Sequence, residues 1–169
     1  MMDTRFELID RCTTFNELLH DMELLLNREH LFYGHGTGNA MDESMAILMY
    51  LSESNDVLDE EQLKTSISDQ VQEKAKEVLY QRVTESKPLP YITNVAYFCG
   101  KKFYVDERVL IPRSPIAELI NNRFEPWLNP NSINRVLEIG TGSGCIALSI
   151  AEAFSDIEVA ATDISPDAI

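Results

Sequence analysis

The sequence is poor in the residues that staple or metallate small folds: among 169 residues there are three cysteines and three histidines. Cys12, Cys99 and Cys145 are odd in number and widely spaced, with no C-x-x-C pair and no clustered histidine. That excludes a disulfide framework and a zinc site, and leaves three reduced, structural thiols. Long apolar runs are missing too. None reaches the roughly 18 residues that a membrane-spanning helix needs, and the start Met1-Met2-Asp3-Thr4-Arg5 lacks a basic segment followed by an apolar one. The expectation is a cytoplasmic protein that neither crosses nor binds a membrane.

Positive charge is scarce. Lys and Arg number 14 against 28 Asp and Glu, for a net charge of −14. Such a balance argues against direct nucleic-acid binding and for a basic or neutral partner. The acid is uneven: residues 1–87 hold 18 acidic against 8 basic side chains, a balance of −10, whereas residues 88–169 hold 10 against 6. Two readings of that acidic half stand side by side, a solvated helical surface and a docking face for a basic protein.

What is present is apolar periodicity. Glycine and proline, seven each, are few enough, and apolar residues, at 44%, many enough, for one domain or two small ones to bury a core. Thr14 and Glu17 have capping-box spacing, and Phe15, Leu18, Leu19, Met22, Leu25 and Leu26 follow at helical intervals, which predicts a helix over 14–29. The glycines of Tyr33-Gly34-His35-Gly36-Thr37-Gly38 break it. Asn39 caps a second helix with Met41, Met45, Leu48 and Met49 on its stripe, and Ser68 a third with Val71, Ala75, Val78, Leu79 and Val83. Three helices predict a small bundle over residues 1–87.

Lys87-Pro88-Leu89-Pro90 cannot continue a helix and marks a boundary. Beyond it, Tyr91, Ile92, Val95, Tyr97 and Phe98, a turn at Cys99-Gly100, and Phe103-Tyr104-Val105 predict a linking hairpin within residues 88–112. Ser114-Pro115 reads as the start of a helix carrying Ile116, Leu119, Ile120 and Phe124. Residues 113–169 then end in a βαβ unit: Arg135–Ile139 as a buried strand, a glycine loop at Gly140-Thr141-Gly142-Ser143-Gly144, a helix from Cys145 to Phe154, and a strand running to Asp163. The fold class is α/β.

A glycine loop between a strand and a helix lets a ligand approach the backbone and meet helix N-terminal N–H groups, while an acid closing the next strand can accept both hydroxyls of a ribose. Asp163 lies 19 residues beyond Gly144, near the expected spacing. The loop thus points to an adenosine-bearing cofactor. Gly142-Ser143-Gly144-Cys145-Ile146-Ala147 satisfies the loose dinucleotide pattern, which keeps a nicotinamide-dependent oxidoreductase as an alternative. Leu137-Glu138-Ile139-Gly140-Thr141-Gly142-Ser143-Gly144 instead resembles the E/D-x-G-x-G-x-G signature of class I methyltransferases, and the carboxylate of Glu138 suits a cofactor with an ammonium and a sulfonium better than a pyrophosphate.

Three stretches extend that resemblance: Pro88-Leu89-Pro90-Tyr91-Ile92-Thr93, Phe98-Cys99-Gly100, and the run from Phe103 through Val109-Leu110-Ile111-Pro112-Arg113-Ser114-Pro115 to Ile120. Together they closely resemble the protein-(glutamine) methyltransferases. His35-Gly36-Thr37-Gly38-Asn39-Ala40 with Asp42-Glu43, and Ser114-Pro115-Ile116 after the Pro-Arg pair, look like the branch that acts on large-subunit ribosomal protein three, not the sister branch acting on release factors. The resemblance implies a helical substrate-recognition domain, a hairpin linker, and a Rossmann-like methyltransferase domain that binds S-adenosyl-L-methionine. It implies a basic ribosomal protein as substrate, modified at a glutamine side-chain amide. Gly140, Thr141, Gly142, Ser143 and Gly144 would surround the methionine and ribose portion, with Asp163 on the ribose and Glu138 behind the loop. Arg113 and Glu118 would either order that pocket or serve as a salt link or helix cap. The family's Asn-Pro-Pro-Tyr motif, which grips the substrate amide, is absent from these 169 residues. The expectation is an incomplete methyltransferase domain and an inactive fragment.

Overall fold

A computed structural model describes residues 4–168. The chain divides into two compact units, Met1–Thr93 and Asn94–Ile169.

The first unit is helical. Helix α1 spans Phe15–Arg28, and the Thr14 hydroxyl accepts the Glu17 N–H at its start. Glu17 reaches back one residue further than a simple capping box would, accepting the Thr13 N–H at 2.7 Å. Helix α2 spans Ala40–Leu51 under an Asn39 cap, whose side-chain oxygen accepts the Asp42 N–H at 2.9 Å. Its buried face is Ala40, Glu43, Ser44, Ile47, Leu48 and Leu51, so the methionine stripe read from the sequence is partly mistaken: Met41 is exposed. Two small residues and a paired carboxylate hold that face instead of the bulkier, more apolar set.

A short helix α3, Glu60–Leu63, adds to the three helices the periodicity predicts, and Asp59 and Gln62 form a complete capping box at its start. Helix α4 spans Asp69–Val83 behind the Ser68 cap and buries Ala75, Val78, Leu79 and Val83. The last helix of the unit, α5, spans Leu89–Thr93, where the sequence predicts extended chain at Tyr91 and Ile92. Pro90 sits in its first turn, the one place where the missing proline N–H costs nothing. One core, with Ile9, Leu18, Met22, Leu26, Ile47, Leu48 and Leu79 fully buried, joins these helices.

The second unit opens on the expected hairpin. Strand β1, Val95–Phe98, pairs antiparallel with β2, Lys101–Tyr104. Cys99 and Gly100 carry φ of +48° and +75°, the twin left-handed residues of a two-residue turn that matches strand twist. Helix α6 spans Ile116–Asn121, with the Ser114 hydroxyl accepting the Ile116 N–H at 3.2 Å; Pro115 precedes the first helical residue. Strand β3, Arg135–Ile139, helix α7, Cys145–Ala153, and strand β4, Glu158–Thr162, follow in the predicted order. The two strands pair in parallel, Val136 opposite Val159 and Ile139 opposite Thr162.

Phe98, Phe103, Ile120, Cys145, Ile150 and Phe154 form the core of this unit, and Val136 and Val159 pack against it from one face of the sheet. Among the described residues, the opposite face is largely uncovered. Leu137 is 60% and Ile139 82% exposed, so β3 forms as predicted but is not the buried strand the apolar run suggests. Such a run signals a parallel strand covered on both sides, and here only one layer is in place. Among the described residues no helix is long and apolar enough to cross a membrane.

Candidate cofactor site

The glycine loop is assembled by two carboxylates and one carbonyl. At the end of β3, the chain turns through Gly140 and Thr141, whose N–H groups both donate to the Thr162 carbonyl, at 2.8 and 3.0 Å. The loop is thereby tied to the last residue of β4. Gly142 then takes φ of +53°, a left-handed turn that aims its N–H at the Asp163 Oδ2, 2.8 Å away. The other carboxylate oxygen of Asp163 accepts the Ser165 N–H at 2.9 Å. These bonds, from Ser165 first and then Gly142, hold the Asp163 carboxyl below the ordinary aspartate range, so it stands as an anion beside the loop.

Glu138 works from the other side. It lies on the half-buried face of β3, and its Oε2 accepts the Thr141 hydroxyl at 2.7 Å and the Ala147 N–H at 2.9 Å. Ala147 is in the first turn of α7, where backbone N–H groups have no helical partner. Gly144, at the N-cap with φ of +75°, has no side chain to serve them, and the Glu138 carboxylate does so from the strand. Burial, ahead of the other influences, pushes the Cys145 thiol up, so this cysteine at the helix start is a packed thiol.

All seven residues expected to hold cofactor therefore fall in one place. Glu138, Thr141, Gly142 and Asp163 are joined by direct hydrogen bonds, Gly140 by its bond to Thr162, and Ser143 and Gly144 complete the turn into α7. A side chain added at Gly140 would meet nothing within 4 Å, so the loop backbone is open to a ligand there. Arg113 and Glu118 are both exposed, Glu118 in the first turn of α6. Three contacts escape sequence reasoning. The Ala147 N–H and the Thr162 carbonyl are backbone groups with no residue-type signal. Val109 lies 4.0 Å from the position a Cβ at Gly142 would occupy, and its only sequence signal is its place in the run from Phe103 to Ile120.

No protein-family model matches the chain. Curated relatives do. It is 37% identical over 145 residues to the ribosomal protein uL3 glutamine methyltransferase of Francisella tularensis, covering 85% of this chain and 46% of the relative. It is likewise 37% identical over 158 residues to the protein of the same name from Bordetella pertussis, covering 92% of this chain and 53% of that one. Neither name supports the nicotinamide oxidoreductase or the release-factor alternative. Over most of its own length the chain is thus similar to two ribosomal protein uL3 glutamine methyltransferases, and it spans about half the length of these curated relatives.

Proposed function

We propose that the protein to which these residues belong transfers a methyl group from S-adenosyl-L-methionine to a glutamine side-chain amide of a large-subunit ribosomal protein, in the cytoplasm. The single observation that carries the cofactor reading is the bond from Gly142 N–H to Asp163. It joins the half-buried glycine loop after β3 to the acid after β4, and a carboxylate held beside such a loop supports its reading as the acceptor for ribose hydroxyls.

S-adenosyl-L-methionine supplies an activated methyl group when bound. The residues of this loop would hold it: Asp163 would accept hydrogen bonds from the ribose hydroxyls, and Gly140, Thr141, Gly142, Ser143 and Gly144 would line its path. Glu138 fixes that loop and the start of α7. An amide nitrogen is a weak nucleophile because its lone pair is delocalised, so transfer depends on holding the amide in line with the methyl group and stabilising the charge that develops. The Asn-Pro-Pro-Tyr motif that the family resemblance links to that task is not found in these 169 residues. The largely uncovered face of β3 and β4, with Leu137 and Ile139 exposed, supports the same view: a further layer and further strands complete a Rossmann-like domain. The 169-residue chain alone is expected to transfer no methyl group.

Calorimetry on the full-length protein tests the cofactor assignment. S-adenosyl-L-methionine should bind in preference to reduced nicotinamide cofactor; the reverse preference would overturn it.

A further inference from the structure

The helical unit contains a loop whose construction is out of proportion to anything it stabilises. Between α1 and α2, residues 32–38 are tied at both ends to one buried ion pair. Arg82 and Glu43 are 5% and 2% exposed and joined to each other. Arg82 spends its Nη2 on the Phe32 carbonyl at 2.9 Å, and Glu43 spends its Oε2 on the Thr37 hydroxyl at 2.9 Å. The Tyr33 phenol donates to the Leu26 carbonyl at 3.2 Å, and its ring lies under Arg82. Burying two charges is a poor way to stabilise a core, since apolar residues of similar size do as well or better. Here the bonding capacity left over from the pair goes to the loop, so the return is a fixed loop shape.

That shape displays an aromatic ring. Phe32 is 72% exposed. Its ring lies so close over Gly34 that an added Cβ there would meet it at 3.1 Å, and the His35 ring meets it edge-on at a centroid distance of 5.8 Å. Gly34, at φ +136°, supplies both the turn and the space. The ring is therefore held by its own loop while most of it faces water. An aromatic fixed in advance loses little freedom on contact, which is what an anchor of an interface requires.

We propose that this loop is a docking point for a basic protein segment, with Phe32 as the platform on which a lysine or arginine side chain stacks. The proposal rests on the reading above that the substrate is a basic protein, and narrows it to a place. The negative face of the ring attracts cations. The balance of −10 over residues 1–87 draws the same kind of partner and disfavours an acidic one.

The test uses full-length protein and purified ribosomal protein uL3, with binding read by surface plasmon resonance and methyl transfer read separately. Phe32→Ala should weaken binding roughly tenfold, the loss of one interface anchor. Phe32→Trp should restore it to within about twofold, because a larger ring keeps the cation platform. Thr37→Val, which frees the loop from Glu43, should weaken binding less than Phe32→Ala, and affinity for S-adenosyl-L-methionine should not move in any of the three. Wild-type affinity in Phe32→Ala overturns the proposal, and so does a loss of self-association in place of uL3 binding. Binding of uL3 without methyl transfer overturns the glutamine reading alone, and the Phe32 variants still judge the loop. Failure of the unmodified protein to bind uL3 overturns both.

Discussion

The Asp163 carboxylate accepts the Gly142 N–H at 2.8 Å, so the acid that closes the second parallel strand is bonded directly to the loop that follows the first. Strand order alone would place these residues near each other; the bond gives the loop its shape before any ligand arrives. On the proposed cofactor reading, a ribose entering the site would exchange with, or add to, an interaction already made.

Asp163→Ala should weaken S-adenosyl-L-methionine binding at least tenfold, because charge-assisted hydrogen bonds to the ribose disappear and the loop loses a tether. The pH dependence follows from the lowered pKa. A carboxylate held below its ordinary value contributes above the unfolded pKa, and that contribution fades only as pH falls through the folded one. Methylthioadenosine keeps the ribose without the ammonium. Its affinity should stay flat from neutral pH down through about pH 5, where an ordinary aspartate is still ionised, and fall only below that. Titration calorimetry across that range checks both statements.

Glu138 presents a choice between charge and geometry. If its part is to hold Thr141 and Ala147, Glu138→Gln should keep most of the cofactor affinity, since an amide oxygen can accept the same two bonds. Glu138→Ala should lose roughly tenfold or more, with α7 fraying at its first turn. Equal losses in the two variants would mean that the negative charge itself is what the cofactor requires. Fluorescence or calorimetric titration of both proteins, with amide exchange on α7, separates the cases.

The Glu43–Arg82 pair supports a stability prediction. Arg82→Met leaves a buried carboxylate without its partner and should cost about 3–5 kcal/mol, the range for breaking a buried pair from one side. Replacing both, Glu43→Gln with Arg82→Met, should cost less than the single change, because no charge is stranded. Urea denaturation of the three proteins provides the comparison.

Cys12 offers a chemical probe of the helical unit. Burial, reinforced by the neighbouring Asp21 carboxylate, pushes its thiol up to about 12. At mildly alkaline pH it should resist iodoacetamide in the folded protein and react once denaturant opens the core, which mass spectrometry of the labelled peptide would reveal.

The sequence carried the order of elements well, because caps and periodicity are local. Thr14, Asn39 and Ser68 each cap the helix predicted for them, and the left-handed pair Cys99-Gly100 makes the predicted turn. Where prediction failed, the deciding interaction was distant or lay between two weak signals. Met41 looks like a core residue until Arg82, far along the chain, claims Glu43 and turns that face of α2 inward. Pro90 reads as a breaker, yet it is accepted in the first turn of α5. At the site, residue types identified the glycine loop and Asp163, but not the Ala147 N–H or the Thr162 carbonyl, since every residue owns such groups and only the fold aims them.

The most direct measurement is methyl transfer itself. Full-length protein, incubated with S-adenosyl-L-methionine carrying a labelled methyl group and with ribosomal protein uL3, should place one labelled methyl on a glutamine side-chain nitrogen of uL3, located by peptide mass spectrometry. Label on any other residue type, or none on uL3 while the protein demonstrably binds S-adenosyl-L-methionine, would contradict the account.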